Sequence, residues 1–200
     1  QVPDTTTKVK IGSDGKTIDY AGVTYIINPY DELAVEAALQ LKEKQGGETT
    51  VVSVGRDSTK EVIKKSYAMG IEKGILIKSD IELDSYSVAR NLSDVLREID
   101  PDIIFFGKQS IDYDDSQVGL LVAEMLGLPS INVVVSLEIE GTKITAEREI
   151  EGGKEVVEST LPAVICAQRG LNNPRYPNLK GIMQAKSKPI EERQPTYTGN

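Results

Sequence analysis

Histidine is absent from the 200 residues, and cysteine occurs once. The first absence removes the commonest general base, the Ser-His and Cys-His nucleophile arrangements, and most zinc sites. The second excludes an internal disulfide and leaves the redox compartment unconstrained. Cys166, set in Ala163-Val164-Ile165-Cys166, reads as a core thiol. No run approaches the roughly 18 apolar residues that cross a bilayer, and no charged-then-apolar segment opens the chain. The expectation is a cytosolic protein, or one of an organelle matrix, without membrane insertion. Walker-type GxxxxGKS/T and dinucleotide GxGxxG fingerprints are also missing, so neither a nucleoside triphosphatase nor a nicotinamide dehydrogenase is supported. A net charge of −8 argues against nucleic acid as a partner.

What is present is enough apolar content, 39%, for one good core. Leu33, Ala34, Ala37, Ala38 and Leu41 recur at helical spacing between Asn28, a candidate N-cap, and Gly46, with Pro29 at the first helical position. Thr49 to Val54 reads as a buried strand. Ser58-Thr59-Lys60-Glu61 reads as a capping box opening a helix to about Met69, and Gly74 to Ile77 as a short strand. Val88, Leu92, Val95, Leu96 and Ile99 form the clearest apolar stripe, with Ser85 as candidate cap and Pro101 as stop. Ile103 to Phe106 reads as a buried strand and Gln117 to Leu126 as a helix.

This alternation predicts an α/β fold, a parallel sheet with helices on both faces, whose ligands sit outside the carboxyl ends of the strands. Val133 to Ile139 and Lys143 to Glu149 flank Glu140-Gly141-Thr142 as a β-ribbon, and Leu161 to Ala167 reads as a returning final strand. The main domain is expected over residues 1–169. Residues 170–200, rich in Asn, Pro, Arg, Lys and Gly, are expected to form an extended arm ordered only against a partner. Because such a sheet normally opens with an apolar strand, a first strand of roughly ten residues is expected to lie outside this sequence.

The segment richest in chemistry runs Gly107-Lys108-Gln109-Ser110-Ile111-Asp112-Tyr113-Asp114-Asp115-Ser116-Gln117-Val118, between a strand and a helix. A loop feeding a helix N-terminus offers unpaired amides and a positive dipole end, which suits a phosphate. Asp112, Asp114 and Asp115 could cap amides, take a ribose hydroxyl or hold a divalent ion, although no ordered ligand spacing favours the ion. No catalytic residues are assigned, and no metal. Near the C-terminus Arg169, Arg175, Lys180, Lys186 and Lys188 cluster, either as a solvated tail or as a face for an acidic protein partner.

Several stretches together resemble one family. They are Val2-Pro3-Asp4-Thr5, Asn28-Pro29-Tyr30-Asp31-Glu32, Ala68-Met69-Gly70, Gly107-Lys108-Gln109-Ser110-Ile111-Asp112, Arg148-Glu149-Ile150-Glu151-Gly152-Gly153, Leu161-Pro162-Ala163-Val164, Leu171-Asn172, Pro174-Arg175-Tyr176 and Ile182-Met183-Gln184-Ala185-Lys186 with Pro189. In order and spacing they are similar to the β subunits of electron-transfer flavoproteins, over nearly the whole chain.

The resemblance implies an adenine nucleotide α-hydrolase-like, Rossmann-like sheet and an α subunit carrying most of the redox FAD. It implies AMP in this chain, or a second FAD in bifurcating members, and electron donors such as acyl-CoA dehydrogenases or other flavin dehydrogenases. Carried over by position, the nucleotide contacts are Asn28, Pro29, Tyr30, Asp31, Val54 and Gly107 through Val118. Leu179 becomes the partner-docking leucine of a recognition loop, with Arg175, Lys180 and Lys186 beside it. The chain departs from the family at Gly55-Arg56-Asp57-Ser58, where many members place Gly-Pro. Two other readings of such a fold, an ATP-binding regulatory module resembling universal stress proteins and an adenylating enzyme, lack their characteristic phosphate loops here.

Overall fold

The computed structural model describes residues 1–8, 10–16 and 18–199. Four two-residue strands come first: β1 (Val2–Pro3), β2 (Lys10–Ile11), β3 (Ile18–Asp19) and β4 (Tyr25–Ile26), with β1 antiparallel to β4 and β2 to β3. The alternating part follows as α1 (Pro29–Gln45), β5 (Thr50–Gly55), α2 (Thr59–Met69), β6 (Lys73–Lys78), α3 (Ser85–Ile99), β7 (Ile103–Gly107) and α4 (Val118–Leu126). A meander of β8 (Ser130–Glu140), β9 (Lys143–Ile150) and β10 (Gly153–Thr160) leads to β11 (Ala163–Ala167), α5 (Leu179–Ser187) and β12 (Glu191–Arg193).

The helices lie where the periodicity put them. Pro29 occupies the first position of α1, where its missing N–H costs no hydrogen bond. Asp31 and Glu32 sit in the first turn and Lys42 and Lys44 in the last, each matched to the helix dipole. The apolar stripe of α3 turns inward, so that Leu92, Val95 and Leu96 pack with Ile75, Ile77, Ile104 and Val122 in the largest core cluster.

The caps are built differently from the sequence expectation. Asn28 precedes α1, but its side chain makes no cap bond. Ser58 does not cap α2 either; its Oγ accepts from Gln1 Nε2 at 3.0 Å. The cap of α3 is Asp84, whose Oδ1 accepts from Ser87 N at 2.8 Å, while Ser85 is the first helical residue. In each case a short polar side chain has found a tertiary partner, which competes with local capping.

The parallel strands fall in two sheets. One has order β12-β6-β5, all parallel; the other has order β10-β9-β8-β11-β7, with β11 parallel to both β7 and β8 and the meander antiparallel. β5 and β7 are therefore edge strands. A cleft of about 1560 Å³ lies between them, walled by Ala34, Val35, Ala38 and Leu41 of α1 and by Val88, Leu92, Leu96 and Ile99 of α3. No residue of β5 is fully buried, although Val51, Val52 and Val54 all pack on the core.

Three elements, β10, α5 and β12, had no clear sequence signal. β10 carries only Val156 and Val157 among polar residues and is mostly exposed, so no alternating apolar face announced it. The arm is irregular over residues 171–178, as expected, but α5 and β12 then order it on the chain's own surface. α5 packs on α2, where a Cβ at Gly181 would come within 2.5 Å of the Ala68 carbonyl oxygen, so that only glycine permits the approach. β12 extends β6 in parallel, and Tyr67 OH donates to Pro189 O at 2.7 Å. The arm expected to be extended thus contains a helix and a short strand laid on the chain's own surface. Buried Asn91 also secures the tail, accepting from Thr196 N at 2.7 Å and donating to Tyr197 O at 2.6 Å.

Candidate functional site

The carboxyl ends of β5 and β7 open onto the start of α1 and the loop before α4. Asn28, 2% exposed, joins these two segments. Its Nδ2 donates to Gln109 O at 2.8 Å and its Oδ1 accepts from Ile111 N at 3.1 Å, which satisfies a buried amide through backbone 81 and 83 residues away. Asp31 Oδ1 accepts from Gly107 N at 2.8 Å. Gly107 is glycine for a steric reason, since a Cβ would stand 2.6 Å from the Tyr30 carbonyl carbon and 2.7 Å from Asp31 N. The loop is thus fastened to α1 by two side chains and one close backbone contact.

Within the loop, Gln109 is the hub. Its Nε2 donates to Asp114 Oδ1 at 2.6 Å and its Oε1 accepts from Ser116 Oγ at 3.1 Å. Asp114 and Ser116 both take left-handed backbone conformations, with φ of 55° and 48°, which turns the chain sharply into α4. Asp115 accepts from Ser85 Oγ, Asp112 Oδ1 accepts from Tyr113 N at 3.1 Å, and the Tyr113 hydroxyl donates outward to Glu82. Each of the three aspartates has a local partner. Lys108 Nζ lies 5.1 Å from the centre of the Tyr30 ring.

Among the residues expected to form the site, the cleft is lined by Asn28, Asp31, Val54, Gly107, Lys108, Gln109, Ser110, Asp115, Ser116, Gln117 and Val118. Pro29, Tyr30, Ile111, Asp112, Tyr113 and Asp114 support or flank the loop without lining it. Gly119 adds a backbone group to the wall, packed so closely on β7 and β11 that a Cβ would meet Cys166 Sγ at 2.8 Å. Charge at this mouth is tempered. Burial raises the Asp31 carboxyl above the ordinary carboxylate range, against the hydrogen bond it accepts from the Gly107 amide. Burial also pushes the Cys166 thiol up to about 12, with the Asp31 charge adding to it.

The arm presents the other expected group. Leu179, 81% exposed, opens α5 rather than sitting in an irregular stretch, and Tyr176 and Met183, 95% and 72% exposed, stand beside it in sequence. Lys180 and Lys186 are exposed, and among the described residues neither is in an ion pair. Arg175 is different, because its guanidinium is held by Glu36 and Glu43 of α1. The sequence reading missed these two acids. The hint for Glu36 was its place one residue before Ala37 on the apolar stripe of α1, where it is 3% exposed.

The architecture defines a Rossmann-like α/β protein with a cleft that runs along edge strands β5 and β7 to the loops at their carboxyl ends. A family model described as the electron transfer flavoprotein domain matches residues 16–197. The electron transfer flavoprotein subunit beta of Syntrophomonas wolfei is 47% identical over 191 residues, covering 95% of this chain and 75% of that protein. The Bacillus subtilis subunit beta is 44% identical over 93% of this chain and 74% of its own length. The mouse subunit beta is 38% identical over 96% and 77%. The chain belongs to the electron transfer flavoprotein family, on the β-subunit side. Its role is accordingly in electron transport, alongside an α subunit. Among the described residues no helix is long and apolar enough to cross a membrane.

Proposed function

We propose that this chain is the β subunit of a heterodimeric electron-transfer flavoprotein that accepts electrons from flavin dehydrogenases, such as the acyl-CoA dehydrogenases of fatty acid β-oxidation, through an FAD shared with the α subunit. Residues 1–169 would hold a structural AMP, and residues 170–200 would supply the recognition loop and arm. The observation that carries the nucleotide reading is the loop of residues 107–118, fastened to α1 by Asn28 and Asp31 and delivered to the N-terminus of α4 at the cleft. The free amides at that helix start suit a phosphate, Asp115 or Asp31 suits a sugar hydroxyl, and Val54 offers an apolar face to a base.

The redox chemistry belongs to the flavin when it is bound. This chain orients nucleotide and partner and transfers no proton of its own. On the arm, Leu179 would enter an apolar pocket of the dehydrogenase, with Lys180 and Lys186 drawing in an acidic rim. The alternative reading is a second FAD in place of AMP.

The test is to purify the αβ complex, denature it and weigh the released nucleotides. One AMP per β chain alongside one FAD supports the structural reading, and two FAD with no AMP supports the second. An absence of any nucleotide beyond one FAD would refute the assignment of the cleft.

A further inference from the structure

Arg175 is the last charged residue before the exposed apolar side chains of the arm, and its own charge is spent inside the chain. Its backbone N and Nε donate to Glu36 Oε2 at 3.0 and 2.9 Å, its Nη2 to Glu36 Oε1 at 3.0 Å, and its Nη1 and Nη2 to the two oxygens of Glu43. Glu36 is nearly fully buried and takes a fourth bond from Gln40 Nε2 at 2.9 Å. The two acids lie seven residues apart, two turns along one face of α1. Asn172 Nδ2 adds a bond to Leu33 O at 2.9 Å, so residues 172–175 are laid along α1 at two points.

This is a planar fork matched to carboxylates, a geometry that lysine does not reproduce. Downstream, Asn178 caps α5 by accepting from Gly181 N at 2.8 Å, and Ala185 is buried against α2. Between these anchors Tyr176 and Leu179 point into solvent. Two exposed apolar side chains held between fixed ends gain nothing for this chain's own core.

We propose that Arg175, gripped by Glu36 and Glu43, is a positioning residue of the docking surface: it fixes the direction in which Tyr176 and Leu179 leave α1, so that the leucine meets its pocket already ordered. This rests on the docking role given to Leu179 above. It assigns Arg175 away from steering, because a guanidinium between two carboxylates leaves no net positive charge for an acidic partner. The attraction falls to Lys180 and Lys186. Pre-ordering favours association by lowering the entropy lost on contact.

The experiment uses the whole αβ complex as electron acceptor for a purified acyl-CoA dehydrogenase at saturating acyl-CoA, with the complex varied to obtain KM and kcat. Arg175→Met alone would orphan the buried Glu36, so the variant is the pair E36Q/R175M, measured beside L179A. Amide exchange over residues 172–179 is followed in the same preparations. For E36Q/R175M, KM for the complex should rise about tenfold, with kcat kept and exchange of those amides faster. L179A should raise KM with exchange unchanged. If L179A raises KM and E36Q/R175M does not, the clamp has no positioning role and the docking leucine stands. If L179A leaves KM unchanged, the docking reading itself falls and this inference with it. Faster exchange in E36Q/R175M without a change in KM also overturns the proposal.

Discussion

Replacing Gly107 by alanine probes the joint between the loop and α1. The new Cβ would lie 2.6 Å from both the Tyr30 carbonyl carbon and Asp31 Oδ1, where ordinary contact begins at 3.4 Å. The aspartate can rotate away, but the Tyr30 backbone cannot, so β7 and α1 must part by most of an ångström. Overpacking of this kind costs about 1–3 kcal/mol. The parting also strains the bond from Gly107 N to Asp31, and losing a hydrogen bond to a carboxylate costs about 1.5–3 kcal/mol. Against this, alanine removes chain entropy from the unfolded state, a gain of about 0.4–1 kcal/mol. The steric and bonding losses win, leaving a net destabilisation of about 2–4 kcal/mol. The assay is the urea midpoint of the αβ complex. Gly153→Ala is the control, because a Cβ there meets no atom within 4 Å. G107A should lower the midpoint clearly and G153A should not. A G107A midpoint equal to that of the control would show that the two segments are not in forced contact, and the steric argument would be wrong.

Gln117→Pro removes an amide at the start of α4 and should release the nucleotide proposed for the cleft while leaving the proposed FAD of the complex in place; unchanged nucleotide content after denaturation would refute the phosphate assignment. Cys166, buried and with its thiol pushed up to about 12, should resist alkylation at pH 8 in the native complex and react in denaturant; rapid native labelling would contradict its placement. The clamp on Arg175 should be pH-dependent in one direction only. Burial works to raise the Glu36 carboxyl, but the bonds from Arg175 and Gln40 outweigh it and hold Glu36 below its ordinary 4.5. Its stabilising contribution is therefore fully present above 4.5 and is lost as pH falls through the lower folded value. An acid-stable protease should cut residues 171–178 increasingly below about pH 4.5, and equal cutting at pH 4 and pH 6 would count against the clamp.

The alternating half of the fold was readable because each helix has its own apolar period and each strand is short and bounded. β7 and α3 fall within a residue or two of the expected limits, and the turn at Gly141 lies where Glu140-Gly141-Thr142 placed it. The caps were not readable, since Asn28, Ser58 and Ser85 satisfy a local rule as well as a distant partner and sequence spacing describes only the first. β10 escaped because it is held by pairing with β9 along its length, from Gly153 opposite Ile150 to Thr160 opposite Lys143, rather than by an apolar face. α5 escaped because its seat is a backbone contact at Gly181 and one buried alanine, a pattern too sparse to give a period. In the site, the loop of residues 107–118 was legible as a strand-to-helix connection. Its division into lining and supporting residues depends on left-handed turns at Asp114 and Ser116 that no residue type there demands.

α1 serves both ends of the molecule's business. Asn28 just before it and Asp31 in its first turn are tied to the loop at the cleft, and its later turns carry Glu36 and Glu43, tied to the arm. At 1.5 Å per residue, Asp31 and Glu43 are about 18 Å apart on one stiff rod. A tilt of about 5° at the loop would swing the far end by about 1.5 Å, comparable to the tolerance of a side chain entering a pocket. A molecule seated in the cleft would act as a chock beneath this lever. The nucleotide proposed for the cleft would then have a mechanical task, setting the angle at which the arm is offered.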